Sequence, residues 1–275
     1  VADRPVLLRR RDGHAAVANS FALKLAGVDS NTVDPPGGRL ERDANGAPTG
    51  ILLEDPAIDL VGGFVPRVSR EHLRDAVKNT LRHAASLGIT SIQDDPSYDA
   101  SLRPGELYAD LAKAGDLPAR ITIWRKLGRP FSELRAEEQA LKASGVGHEH
   151  VRYGQLKGYL DGSLGSRTAQ LFEPYTDDPS AGTGVDLDEA CGLNERVLEA
   201  HRAGYQVGLH AIGDRAAARA LEAFAACGES AERRHRIEHA QLFRAGDVPR
   251  VGAAGVVASV QPIHLASDMV IAVDR

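Results

Sequence analysis

From residue 69 onward the chain alternates amphipathic polar stretches, a glycine, and short β-branched runs that end in polar or ionisable residues. Apolar residues three and four apart mark one face of a helix, and a short continuous apolar run marks a strand covered on both faces. The alternation therefore predicts βα units on a parallel sheet. The first helix is predicted over residues 69–87, with Ser69 as N-cap, Glu71 in the first turn, and Leu73, Val77, Leu81 and Ala84 on one face. Gly88 stops it. Helices ending in glycine are also predicted before Gly115, Gly145, Gly204, Gly228 and Gly255. Six strands follow from the same pattern, at 89–93, 120–124, 154–160, 206–209, 236–238 and 256–260.

Residues 1–65 break the alternation. Pro35-Pro36-Gly37-Gly38, Asn45-Gly46 and Gly62-Gly63 interrupt short apolar runs, and Asn45-Gly46 between 39–42 and 49–52 predicts a hairpin. This stretch reads as an accessory α+β segment inserted in an α/β barrel, of which residues 66–275 would be the partial catalytic domain. Neither a repeat of 20–50 residues nor a low-complexity tract is present.

The 275 residues, 43% apolar, are enough for a sizeable core, and a single α/β barrel of ~250 residues fits that length. With 33 basic and 38 acidic side chains the net charge is −5, and the basic residues are scattered. No basic stripe for nucleic acid and no polybasic membrane anchor results. Apolar runs fall far short of the ~18 residues of a bilayer span, and no signal pattern opens the sequence. Cys191 and Cys227 fit reduced thiols, so a cytoplasmic protein is expected. Val1 in first place and Met269 as the single methionine suggest a piece of a longer chain.

Functional groups in parallel α/β folds collect where strands end. Standing there are Asp94-Asp95, Trp124-Arg125, Lys157 followed by Asp161-Gly162, His210, His239 and Gln261-Pro-Ile-His264. His210 and His239 end consecutive strands one βα unit apart. Neighbouring strands lie ~4.8 Å apart, so two such imidazoles can meet on one cation, whereas either alone reads better as a core histidine. Lys157 sits within an apolar strand, where burial depresses its pKa and leaves a nucleophilic amine that could take up carbon dioxide as a carbamate. The alternative, which spacing alone favours, is a snorkelling lysine or one salt-bridged to a partner such as Asp161. His148-Glu149-His150 has ligand spacing but precedes its strand, on the side away from the strand ends, and reads as a solvated loop. A phosphate- or sugar-processing barrel using Arg167 is weaker, because no glycine-rich loop opens a helix where one is needed.

Lys157-Gly-Tyr-Leu-Asp-Gly-Ser-Leu-Gly-Ser-Arg-Thr-Ala169, Leu209-His-Ala-Ile-Gly-Asp214, Arg236-Ile-Glu-His-Ala-Gln241 and Ser259-Val-Gln-Pro-Ile-His264 with Asp268 resemble the amidohydrolase superfamily. The resemblance is to its metal-dependent amidohydrolase-3 branch, which holds YtcJ-like proteins and N-substituted formamide deformylases. Asp12-Gly-His14, Asn19-Ser20, Pro36-Gly-Gly38 and Pro48-Thr-Gly50 extend it over nearly the whole chain.

The resemblance implies a (β/α)8 TIM barrel of the metal-dependent hydrolase type. The six strands here would be its second to seventh, so the barrel is expected to be incomplete. It implies Lys157, carboxylated, with His210 and His239 as catalytic metal ligands, His264, Arg167, His14 and Asp268 toward the substrate, and Asp161 and Glu238 behind the ligands. The implied cofactor is one or two divalent metal ions, foremost zinc. The implied reaction is hydrolysis of a C–N bond, amide or N-formyl, by metal-activated hydroxide, on a small-molecule substrate and with homo-oligomers admitted. The family's first-strand His-x-His and eighth-strand aspartate have no counterpart, so activity is expected only where those strands are supplied. The alternative is a truncated or degenerate barrel without catalysis.

Overall fold

The structure is a computed structural model that describes residues 3–96, 102–188, 192–228 and 231–274. It contains two sheets. Strands β1 (Leu7–Arg9), β2 (Ala15–Ala18), β3 (Arg39–Arg42) and β4 (Pro48–Leu53) form an antiparallel sheet in the order β1-β2-β4-β3. The predicted hairpin is β3–β4, with Gly46 at φ +81° in its turn. Helices α1 (Ser20–Leu25) and α2 (Glu54–Gly62) cover the sheet, burying Leu23, Leu40, Leu52, Ile58 and Val61 in a core of its own. Gly50 is obligatory here. Its φ is +97°, and a Cβ at this position would lie 2.2 Å from the Ala18 carbonyl oxygen on the neighbouring strand.

The second sheet is parallel and holds β5 (Ser91–Asp94), β6 (Arg120–Lys126), β7 (Val151–Tyr159), β8 (Val207–Ala211), β9 (Arg236–His239) and β10 (Val257–Ser259), in the order β10-β9-β8-β7-β6-β5. The intervening helices are α3 (Arg70–Ser86), α4 (Pro104–Lys113), α5 (Phe131–Ala143), α6 (Leu193–Arg202), α7 (Asp214–Ala225) and α8 (Val248–Ala253), and α9 (Ile263–Asp274) follows β10. Each of the six predicted strands is present, and all six glycines predicted to end helices have φ between +61° and +93°. Ser69 caps α3, its side chain accepting from His72 N–H.

The expected (β/α)8 TIM barrel is not what forms. Closure needs the first and last strands of the sheet to pair, whereas β5 and β10 each have one neighbour in a six-stranded sheet. The fold is α/β, with a parallel six-stranded sheet and a separate antiparallel one. Coverage of both faces holds for β8, buried along its length, and fails for β5 and β10, which are partly exposed throughout.

The chain divides into two compact units. One comprises Arg67–Gly158 and Arg196–Gly208, with Leu81, Leu111, Ile121, Ile123 and Val151 at its core. In it the buried Arg125 guanidinium bonds to Glu138 (2.6 Å) and the Leu134 carbonyl (2.9 Å) and lies over the Tyr153 ring. The other comprises Val1–Pro66, Tyr159–Glu195 and Leu209–Arg275. Among the described residues no helix is long and apolar enough to cross a membrane. The Cys227 thiol donates to the Ala223 carbonyl (3.6 Å), and Cys191 lies outside the described residues.

Candidate active site

The discontinuous unit gathers four of the predicted histidines. His210 closes β8 and His239 closes β9, with ring centroids 4.5 Å apart and edge to face. His14, in the turn before β2, lies 5.2 Å from His210, and His264, in the first turn of α9, lies 6.5 Å from His239. Tyr159 flanks His210 at 5.6 Å.

Each imidazole is oriented through Nδ1. His210 Nδ1 stands 3.0 Å from Asp161 Oδ1, and His239 Nδ1–H donates to Gln261 Oε1 at 2.9 Å. His264 Nδ1 is 2.9 Å from Asp268 Oδ2, which also accepts from Gln241. His14 Nδ1–H donates to Glu54 Oε2 at 2.8 Å. Fixing one ring nitrogen sets the tautomer and aims the other, as partners behind metal-bound histidines do.

Asp161 is fully buried and accepts backbone N–H bonds from Gln170 (2.9 Å), Ile212 (3.1 Å) and Gly213 (2.8 Å). The last two lie at the N-terminal end of α7, where backbone donors cluster. Burial nevertheless dominates and pushes the Asp161 carboxyl up to about 7 against the pull of these donors. Gly213 is required for the approach, because a Cβ there would meet the Gln170 carbonyl oxygen at 2.0 Å. Beneath this loop Leu164, Ala169, Tyr175, Ala181 and Ile212 form a small core. Burial depresses the His14 imidazole pKa, but the hydrogen bond and charge of Glu54, aided by Asp12 and Asp161, raise it on balance. His239 and Ala240 both adopt positive φ (+73° and +46°), a strained turn that ends β9.

The other predicted residues are held as follows. Arg167, expected toward the substrate, makes a two-pronged ion pair with Asp177 (2.8–3.2 Å). Glu238 is gripped by Arg236 (2.7 Å), which also bonds Ser259. Lys157 is buried on β7 in the other compact unit, where its carbonyl accepts from Leu127 N–H at 2.8 Å. His148-Glu149-His150 forms an exposed turn ahead of β7, as its position predicted. Sequence reasoning missed Glu54 and Gln241, and it named Gln261 at its strand end without assigning its bond to His239. Glu54 opens α2 and reads locally as an ordinary first-turn acid; its partnership with His14 spans 40 residues and leaves no local signature.

The donor set fits a divalent metal. Two adjacent imidazoles with tethered Nδ1 atoms are the kind of ligands Zn²⁺ takes, and carboxylate and amide partners behind them complete the pattern. The family model of the amidohydrolases matches residues 1–275, in the amidohydrolase-3 branch. The chain belongs to the amidohydrolase family. Over 276 residues this amidohydrolase is 37% identical to the putative amidohydrolase YtcJ of Bacillus subtilis, matching 99% of the chain and 50% of that protein. It is 38% identical to Protein LONG AFTER FAR-RED 3 of Arabidopsis thaliana over 280 residues, 96% of the chain and 46% of the relative. Among solved structures it resembles an uncharacterized metal-dependent hydrolase from Pyrococcus horikoshii, with a TM-score of 0.68 and 29% identity over 99% of this chain and 52% of the other. The chain thus spans about half the length of the curated relatives it matches.

Proposed function

We propose that this chain contributes to the active site of a metal-dependent amidohydrolase that hydrolyses a C–N bond, amide or N-formyl, in a small molecule. The observation that carries the reading is the His210–His239 pair, edge to face at 4.5 Å with each Nδ1 tied to a side-chain oxygen. His210 and His239 would hold the metal, and the Lys157 amine would add to carbon dioxide and lose a proton to give an anionic carbamate. Zinc suits the nitrogen donors best. When bound, such an ion activates water at neutral pH and polarises a carbonyl.

The chain's own residues supply orientation and proton handling. Asp161 keeps the His210 ring fixed, and Gln261 does the same for His239. His264, steadied by Asp268 and Gln241, faces the same cluster with Nε2 as its remaining nitrogen. In that place it binds the polar group of a substrate or passes a proton to a departing amine. His14 closes the opposite flank and also faces substrate.

The experiment is metal analysis of the 275-residue chain after equilibration with zinc, beside His210→Ala, His239→Ala and the double variant. Wild type is expected to hold zinc and each variant to lose it by at least ~100-fold in affinity. Stoichiometric zinc in the double variant sinks the site. A panel of N-formyl and N-acyl amides assayed with added zinc then tests the bond, and mass spectrometry under native conditions tests the Lys157 carbamate.

A further inference from the structure

The His14–Glu54 pair is built by the antiparallel sheet. Ala15 of β2 pairs with Leu53 of β4, and one step beyond the ladder Glu54 N–H donates to the His14 carbonyl at 3.0 Å. The two side chains therefore emerge opposite one another, on a different sheet from the one carrying His210 and His239.

Glu54 is costly to the fold in two separate ways. Its φ is +66°, in the left-handed region that residues with a Cβ avoid. Its carboxylate is buried, and Oε1 finds no hydrogen-bond donor among the described residues. A buried acceptor left without a donor destabilises a protein, so stability does not explain why a glutamate stands here. Room is kept for it as well: a Cβ on Gly162 would lie 1.9 Å from Glu54 Oε1. What Glu54 does accomplish is the 2.8 Å bond to His14 Nδ1, which turns the opposite edge of that ring away from the carboxylate, in a site where His210 lies 5.2 Å off.

We infer that Glu54 is a positioning residue, which fixes His14 in the Nδ1–H form and thereby presents Nε2 to the substrate side of the site. The inference rests on the reading that His14 faces substrate, but the state of the ring can be measured whether or not any amide is hydrolysed.

The test is nitrogen-15 NMR of the histidine rings in the 275-residue chain, at a pH where imidazole is neutral, with His14→Asn to assign the His14 signals. Wild type is expected to show His14 protonated at Nδ1. Glu54→Gln, which keeps an acceptor oxygen, is expected to retain that form, and Glu54→Gly to lose it to a mixture of the two tautomers. Urea denaturation of Glu54→Gly is expected to give a midpoint no lower than wild type, because the substitution removes both the strained φ and the orphaned oxygen. An unchanged His14 signal in Glu54→Gly overturns the inference. So does a lowered midpoint or failure to fold, either of which would assign Glu54 to the fold. Zinc uptake measured on the same variant separates the two readings. Retained zinc with an unchanged His14 signal defeats this inference alone, whereas absence of zinc from wild type defeats the metal site and leaves the tautomer result standing.

Discussion

Asp161 shows how a buried acid links site chemistry to stability. Its carboxyl holds a proton up to about pH 7 in the folded chain and only to about pH 4 in an unfolded one. The folded state therefore binds more protons between those values, and this group's contribution to stability declines as pH rises through the window. In metal-free protein the stability difference between wild type and Asp161→Asn should accordingly shift against wild type from pH 4 to pH 7. Urea midpoints at several pH values check this, and a flat difference would contradict it. Much of the candidate site was legible at this scale, because Asp161, His210, His239 and His264 stand at or a few residues beyond strand ends, where polar residues interrupt an apolar pattern, whereas Asp268, inside α9, was named only through the family resemblance. Glu54 and Gln241 were not legible, and Gln261 was named at its strand end without its partner. Their roles come from partners 40, 27 and 22 residues away, and no local period records such a pairing.

Helix and strand positions were written plainly in the sequence because caps and periodicities are local. Leu73, Val77 and Ala84 of α3 are half-buried and Leu81 is fully buried, the face its spacing predicted. Removing the cap with Ser69→Ala should cost about 1 kcal/mol, read as a lower denaturation midpoint without a change in slope. Gly50→Ala should cost more, at least ~2 kcal/mol, because the new methyl must displace the Ala18 carbonyl or force β2 and β4 apart. Circular dichroism and thermal melting of that variant decide the point. What local pattern did not convey is how each strand is covered. β5 and β8 both carry apolar residues, yet β8 is buried throughout while β5 is exposed at Ser91 and Gln93, a difference set by sheet order.

At the scale of the whole molecule the pattern predicted six parallel strands, which form, whereas the incomplete TIM barrel implied by family resemblance does not: the six strands make one sheet and the antiparallel strands a separate one. β5 and β10 remain edges, and α9 presents Ile263, Leu265, Met269, Val270 and Val273 to solvent while Ile271 packs inward. Unpaired edges and a contiguous apolar helix face favour association. The 275-residue chain should therefore self-associate with rising concentration, and Leu265→Lys with Val273→Lys should shift it toward monomer in sedimentation or light scattering. A chain that stays monomeric at high concentration would argue against this. The unit bearing the histidines is assembled from three separated stretches of chain, and that has a consequence for synthesis. His14 and Glu54 leave the ribosome about 185 residues ahead of His239, an interval of roughly 10–40 s at the usual ~5–20 residues per second. The antiparallel sheet, with a core of its own, can be complete through that interval while most of the imidazoles it serves do not yet exist. The unit is thus made in instalments, and His14 with its partner Glu54 waits for the other imidazoles to arrive.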